Sequence, residues 1–268
     1  MIWQCTNTNN TTIIYLLVFM FISMIDLIFS KFIDCLHLLP NIIVSLINYI
    51  FCVFIIFIVN KYFKYIGLCC YSVLCGIISN IQVLYPVKYE IINLTTLLGT
   101  FVFSTTFLVT DIINNQYGKE NAMKSIYFTL TFEIFFLINM LLTMGHTSVS
   151  HEQSISLGME DNVKSIQTIF LPVPRILISS YISYLVSQIA EVFLLRRTNN
   201  NIIKHNIALF ISTILLDNIV FSLLAFYVFS QQSMSLNDLI QIIISSIGIR
   251  LLCNFLNTLS YKIICKNI

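Results

Sequence analysis

The sequence predicts an all-α protein, a polytopic bundle of transmembrane helices, and three observations support this prediction. Hydrophobic residues make up 57% of the 268 residues and charged residues only 10%, far below the roughly 25% charged residues of a soluble protein. Mean hydropathy is +0.88. Apolar runs of about 18 residues or more, enough for a helix to cross a bilayer, recur along the chain. The short linkers between them leave no room for a soluble domain.

Eight candidate spans follow one another in the chain. They cover residues 13–30, 42–59, 63–85, 91–114, 125–144, 170–195, 206–230 and 238–262. The first is interpreted as a retained helix, because the preceding MIWQCTNTNN lacks the positive charges and the cleavage site of a signal peptide. The longest linker, residues 145–165, is predicted to be a solvated loop, and its two histidines have no HExxH frame.

The basic residues predict the orientation, because Lys and Arg accumulate in cytoplasmic loops. With eight spans, one side collects Lys61, Lys64, Lys119, Lys124, Arg196, Arg197, Lys204, Lys262 and Lys266, and the other side only Lys31, Lys88 and Lys164. This asymmetry predicts a multi-pass membrane protein with both termini in the cytoplasm.

Composition also excludes several classes of function. A net charge of +2 and the absence of a zinc-finger or RNA-binding signature exclude nucleic acid as a partner. The eight cysteines include no CxxC pair and are interpreted as small packing residues. We therefore expect no metal site and no cofactor.

The most informative stretch is GTFVFSTTFLVTDIINNQYG, from Gly99 to Gly118. It forms a helix-length apolar run whose one carboxylate is that of Asp111. Helical spacing places Phe103, Phe107 and Asp111 on one face. An acid in a bilayer is costly, so this face is predicted to meet other helices or a cavity. The alternative is an interfacial helix end with Asp111 near the headgroups.

Ionisable residues within or at the ends of the spans are unbalanced in charge. The acids are Asp26, Asp111, Glu133, Glu191 and Asp217, and the bases are Arg175 and Arg250. Two cations cannot neutralise five carboxylates, so some acids should be protonated, lie at the headgroups or bind a cationic ligand. Pairing between helices, such as Arg175 with one acid, would be a purely structural alternative.

Two later spans suggest recognition of a planar heterocycle. Gln188 and Glu191 are three residues apart and share a helix face, where an amide beside a carboxylate can pair with donors and acceptors. Asp217 is flanked by Phe210 and Phe221, so a base could stack there while its N–H groups meet the carboxylate. With 22 phenylalanines in the chain, plain packing remains the alternative.

These motifs resemble the bacterial queuosine precursor transporters, also described as the YhhQ-like or VUT family of inner membrane proteins. The resemblance covers residues 66–264. Its most specific part is Gly99, Phe101, Phe103, Phe107, Thr110, Asp111, Tyr117 and Gly118; further matches are Asn80, Arg175, Ser179, Gln188, Glu191, Asp217, Phe221, Phe226 and Arg250. Many members have other residues at Ser104, Asn115, Glu191 and Ile214, so substrate choice could differ.

The resemblance implies a six-helix transporter domain over residues 63–268, preceded by two additional helices in residues 1–62. It implies uptake of 7-cyano-7-deazaguanine, 7-aminomethyl-7-deazaguanine or queuine, with protons as a candidate coupling ion. The expected substrate-binding residues are Asp217 and Glu191 reading the base, Gln188 and Asn80 completing its polar edge, Phe107 and Phe221 contributing aromatic faces, Arg175 orienting an acid, and Asp111 in the cavity or gate.

Other functions remain open at this point. The closest alternative is a vitamin-type substrate-binding membrane subunit that works with an ATPase module, since the chain has no GxxxxGK[ST] motif of its own. A membrane-embedded enzyme is disfavoured because neither HExxH nor Gly-x-Ser-x-Gly is present. A structural scaffold would not explain five acids in the spans. The sequence does not predict the oligomeric state.

Overall fold

The structure is a computed structural model that describes residues 25–89, 94–147, 149–156, 158–170, 173–195, 210–229 and 236–266. The chain separates into two compact units, Met1–Val44 and Ser45–Ile268. Most of the first predicted span, residues 13–24, lies outside the described residues, and a helix covers residues 25–37. The predicted domain division after residue 62 stays a prediction.

The described chain is almost entirely helical, as the composition predicts. The helices are α1 (25–37), α2 (Asn41–Gln82), α3 (Thr100–Tyr117), α4 (Lys119–Gly145), α5 (His151–Ser156), α6 (Glu160–Phe170), α7 (Val173–Leu195), α8 (210–228) and α9 (Leu236–Lys266). Helix α8 runs through a π-helical segment Phe210–Asp217, an α-helical segment Asn218–Leu223 and a second π-helical segment Leu224–Val228.

Four helical stretches within the described residues are long and apolar enough to cross a membrane. They are Asn41–Gln82, Lys119–Gly145, Ile243–Ile264 and Lys164–Leu194, the last of which includes residues 171–172 that lie outside the described chain. Large apolar side chains such as Phe54, Phe135 and Phe255 are well exposed on these stretches. Because exposed apolar side chains of this size are stable in contact with lipid tails, the prediction of a polytopic membrane bundle is confirmed.

Helix α2 is kinked at Lys64, whose φ of 51° and ψ of −136° are not helical. A positive φ is unfavourable for a residue with a side chain. The kink divides α2 close to the boundary between the predicted spans 42–59 and 63–85.

The predicted start of the fourth span is wrong. Residues Leu94–Leu97 form strand β2, which pairs antiparallel with β1 (Pro86–Tyr89) so that Val87 lies opposite Thr96. The alternation of buried Val87 and Tyr89 with exposed Lys88 is the period of a strand, and β-branched residues favour this pairing. The helix of the fourth span therefore begins only at Thr100.

The linker after α4 also differs from the prediction, because it contains the short helices α5 and α6 instead of an irregular loop. Apolar residues at helical spacing in α6, namely Ile166, Ile169 and Phe170, explain this difference. The ring of Phe170 packs against Phe136 of α4, with 6.3 Å between the ring centroids.

Helix α3 is the central helix of the unit Ser45–Ile268. Nearly all of its residues from Thr100 to Ile113 are buried, and it packs against α4, α7 and α9. Gly99, just before it, approaches α2 closely: a Cβ added to Gly99 would lie 2.4 Å from the carbonyl oxygen of Ser79. The absence of a side chain at Gly99 is what permits this contact.

Interhelical hydrogen bonds made by buried side chains connect α2, α3 and α9. The hydroxyl of Tyr49 on α2 donates to Asn257 Oδ1 on α9 over 2.7 Å, and Asn257 Nδ2 donates to the carbonyl oxygen of Ser104 on α3 over 2.9 Å. The hydroxyls of Tyr71 and Thr105 hydrogen-bond over 2.8 Å. Interhelical hydrogen bonds and small residues are the usual means by which helices associate in a bilayer.

Candidate functional site

A pocket opens within this unit where α2, β2, α3, α7, α8 and α9 converge. Its empty space is about 520 Å³, a figure that includes the part open to solvent. Its uncharged polar lining consists of Ser79, Asn80, Thr96, Thr100, Ser180, Ser183, Asn218, Ser222 and Ser246. Its apolar walls come from Val83, Leu97, Phe103 and Phe221. Such a lining suits a small, planar and polar molecule.

The two charged residues of this lining form an ion pair. Asp217 ends the first π-helical segment of α8, and Nη1 of Arg250 on α9 donates a hydrogen bond to Asp217 Oδ2. The side chain of Asp217 is 1% exposed and that of Arg250 is 11% exposed. π-Helical turns are rare and often occur at functional sites. Since the charges of Asp217 and Arg250 cancel, the described lining carries no net charge.

Buried polar atoms at the pocket that have no hydrogen-bond partner among the described residues include Asn80 Nδ2, Thr96 Oγ1 and Asp217 Oδ1. A buried polar group without a partner costs about 1–3 kcal/mol, which a bound ligand or water would recover. The three atoms come from α2, β2 and α8 respectively, so separate elements converge on the space. The Asn80 amide can donate to a carbonyl, and the Asp217 carboxylate can accept from an N–H group.

Aromatic rings line two sides of the pocket, Phe103 on α3 and Phe221 on α8. Phe103 packs edge-to-face against Phe107, with 5.6 Å between ring centroids. Phe221 packs in the same way against Phe226 at 5.9 Å. Phe107 itself is 1% exposed and lies outside the described lining, so its contact with a ligand stays a prediction. The side chain of Phe210 lies outside the described residues.

A second group of polar side chains lies between α3 and α7, outside the lining of the pocket. Thr110 Oγ1 donates a hydrogen bond of 2.5 Å to Gln188 Oε1, and Glu191 lies within electrostatic range of Asp111. All four side chains are buried. Gln188 Nε2 and both carboxylate oxygens of Glu191 have no hydrogen-bond partner in the described part of the chain. Three of the predicted site residues, Asp111, Gln188 and Glu191, therefore lie between α3 and α7, away from the pocket.

Arg175 lies in the first turn of α7, where its backbone carbonyl accepts a hydrogen bond of 2.7 Å from Ser179. The described ion pair between an arginine and an acid within the bundle involves Arg250 instead. An orienting role for Arg175 stays a prediction.

Sequence reasoning missed most of the polar lining. Ser180 and Ser183 lie one turn apart on α7, and their helical spacing was a signal that could have identified this face. Asn218, next to Asp217, is oriented by α9: it accepts from Ser246 Oγ over 2.7 Å and donates to the carbonyl of Ile243 over 3.2 Å. Among the described residues, no three His, Cys, Asp or Glu side chains are close enough to hold a metal ion.

Comparison with known proteins gives two matches. The pattern of a family described as "Putative vitamin uptake transporter" matches residues 97–264, well over half of the chain. A protein of Bacillus subtilis (strain 168) named "Probable queuosine precursor transporter" is 26% identical over 141 residues, which are 52% of this chain and 56% of that relative. The match thus spans about half the length of the relative. No solved structure matches significantly.

Proposed function

The chain belongs to the vitamin uptake transporter family, and from this we propose that it is a membrane transporter that imports a queuosine precursor across the bacterial inner membrane for tRNA queuosine salvage. The candidate substrates are 7-cyano-7-deazaguanine, 7-aminomethyl-7-deazaguanine and queuine. The name of the Bacillus subtilis relative supports this substrate class. The observation that carries the proposal is the pocket where Asp217 Oδ1 and Asn80 Nδ2 have no hydrogen-bond partner in the described part of the chain.

The ring system that these substrates share has a guanine-like edge with N–H donors beside a carbonyl acceptor. Asp217 Oδ1 accepts from the N–H groups, and this charge-assisted bond is stronger than a bond between neutral groups. Asn80 Nδ2 donates to the carbonyl, and Thr96 Oγ1 offers a third polar contact. Each of these atoms lacks a partner among the described residues. The ring edge would therefore satisfy groups that are otherwise buried at a cost.

The rings of Phe103 and Phe221 provide apolar faces for the heterocycle, since base–aromatic stacking contributes roughly 1–3 kcal/mol per base. Glu191 and Gln188 lie outside the described pocket lining, so contacts of Glu191 with the base and of Gln188 with its polar edge stay predictions. Asp111 in the cavity or gate, with protons as the candidate coupling ion, stays a prediction as well. Both termini lie in the cytoplasm.

The proposal is tested by measuring the queuosine content of tRNA in a bacterium that lacks its own precursor synthesis and its own carrier. The gene is supplied and each of the three bases is fed at low concentration, in a host whose enzymes use each base. We expect at least one base to restore the modification. The D217N variant should fail to do so, and E120Q, at an exposed acid on α4, should behave as wild type. Full modification by D217N would contradict the binding role of Asp217.

The alternative with an ATPase partner needs a separate experiment. The purified chain is placed alone in lipid vesicles without ATP, and entry of the labelled base that restores modification is followed. Uptake or exchange by the chain alone supports a carrier. Uptake that requires a co-purified ATPase and ATP would favour the substrate-binding subunit.

A further inference from the structure

The ion pair between Asp217 and Arg250 determines the net charge of the pocket lining. We propose that Arg250 is a specificity-determining residue: by pairing with Asp217, it makes the pocket select an uncharged ligand and reject one that carries an ammonium group. The inference rests on the proposed function, because it assumes that the pocket takes a 7-deazapurine. It concerns Arg250, which lies on α9 and lines the pocket.

The argument begins with the charges that a ligand would meet. Asp217 and Arg250 are the charged residues of the described lining, and they contact each other. Every other polar lining residue is a serine, threonine or asparagine. A cationic ligand would lose its hydration in this pocket without meeting an unneutralised acid, and it would lie near the guanidinium of Arg250. An uncharged ligand has neither cost.

The ion pair still leaves Asp217 able to recognise a neutral ring. Arg250 binds one carboxylate oxygen, Oδ2, and the other, Oδ1, has no partner among the described residues. Arg250 thereby fixes the direction in which Oδ1 can accept a hydrogen bond. The pair combines an oriented acceptor for N–H groups with a net charge of zero.

The candidate substrates differ in the charge of the substituent on their shared ring. The nitrile substituent of 7-cyano-7-deazaguanine is uncharged, whereas aminomethyl-7-deazaguanine and queuine each carry an amine that is protonated at neutral pH. Because all three share the ring that Asp217 and Asn80 would bind, the substituent charge is what the pocket can discriminate. The structure thus favours the nitrile over the two ammonium ligands.

Binding of the nitrile and of the aminomethyl compound is measured on the purified full chain in lipid nanodiscs. Wild type should bind the nitrile at least about tenfold more tightly, since juxtaposed like charges are strongly unfavourable. R250Q leaves the acid at position 217 without its neutralising partner, so the preference should shift by about tenfold or more towards the aminomethyl compound. K262Q, an exposed lysine on the same helix, should keep the wild-type preference.

The double variant D217N/R250Q provides the second test, because it removes both charges and avoids an unpaired buried acid. It should bind both compounds weakly and again favour the nitrile. If R250Q is unstable, wild type and the double variant still decide the question. Equal or tighter binding of the aminomethyl compound by wild type would overturn the inference while leaving the proposed function intact. If neither compound binds to the folded wild-type protein, both the inference and the proposed function are overturned.

Discussion

The contact between Gly99 and α2 predicts that an alanine at position 99 would deform the pocket. The Cβ of G99A would lie 2.4 Å from the Ser79 carbonyl oxygen and 3.1 Å from its carbonyl carbon. These are backbone atoms, so no side chain can rotate away, and the two elements must separate by about 1 Å to reach ordinary contact. The φ of Gly99 is −58°, which alanine adopts freely. The expected destabilisation by G99A therefore comes from a steric clash and not from backbone strain.

The size of the effect follows from this displacement. Overpacking of this kind costs roughly 1–3 kcal/mol of stability. Ser79 and Gly99 both line the pocket, so the same shift moves Asn80 relative to β2. A shift of about 1 Å takes a hydrogen bond beyond its normal length, and the loss of one bond of about 1.4 kcal/mol weakens binding about tenfold. We expect G99A to lower the thermal midpoint by several degrees and to weaken binding of the transported base at least about tenfold.

The matched control is G248A on α9, where an added Cβ meets no atom within 4 Å. Alanine is favoured over glycine within a helix by roughly 0.5–1 kcal/mol, so G248A should be as stable as wild type or slightly more stable. The assay compares thermal unfolding in detergent and ligand affinity in nanodiscs for the two variants. Equal stability and affinity for G99A and G248A would refute the close approach of α2 to Gly99.

The other contacts in the bundle lead to three further predictions. N257A removes both interhelical hydrogen bonds of that side chain and should lower the unfolding free energy by about 1–3 kcal/mol, measured by thermal unfolding. Y71F removes one hydroxyl bond and should cost about 1 kcal/mol, whereas Y62F, at an exposed ring, should cost nothing measurable. G76A would place a Cβ 1.6 Å from the Glu133 carboxylate, so it should destabilise the protein, and adding E133A should restore part of the loss in the same unfolding assay.

The fold was predictable wherever the lipid environment constrains it. Because backbone polar groups must be paired within the bilayer, long apolar runs have to be helical, and this rule correctly predicted α4, α7 and α9. It failed before Thr100, where an apolar run of residues 91–97 was assigned to a helix although Leu94–Leu97 pairs with β1. Hydropathy cannot distinguish these cases, because a hairpin packed against the bundle is as apolar as a helix facing lipid.

The candidate site was predictable only in part, for a different reason. Residue type and helical spacing selected Asp217 and Phe221, the family resemblance added Asn80, and all three residues line the pocket. Spacing along one helix contains no information about which helices meet, so it could not separate these residues from Gln188 and Glu191 on α7. It also could not show that Asp217 pairs with an arginine 33 positions later in the chain. Pairing depends on the rotation of each helix in the bundle.

Two asparagines illustrate how the same chemistry can serve packing or binding. The amide of Asn257 is bonded at both ends, to Tyr49 and to the backbone of Ser104, so its polar groups hold three helices together. The amide of Asn80 is equally buried, but its Nδ2 has no partner among the described residues. The free protein bears a cost at Asn80 that a ligand carbonyl would remove. Removing the Asn80 side chain should therefore weaken binding more than folding, whereas removing that of Asn257 should weaken folding more than binding.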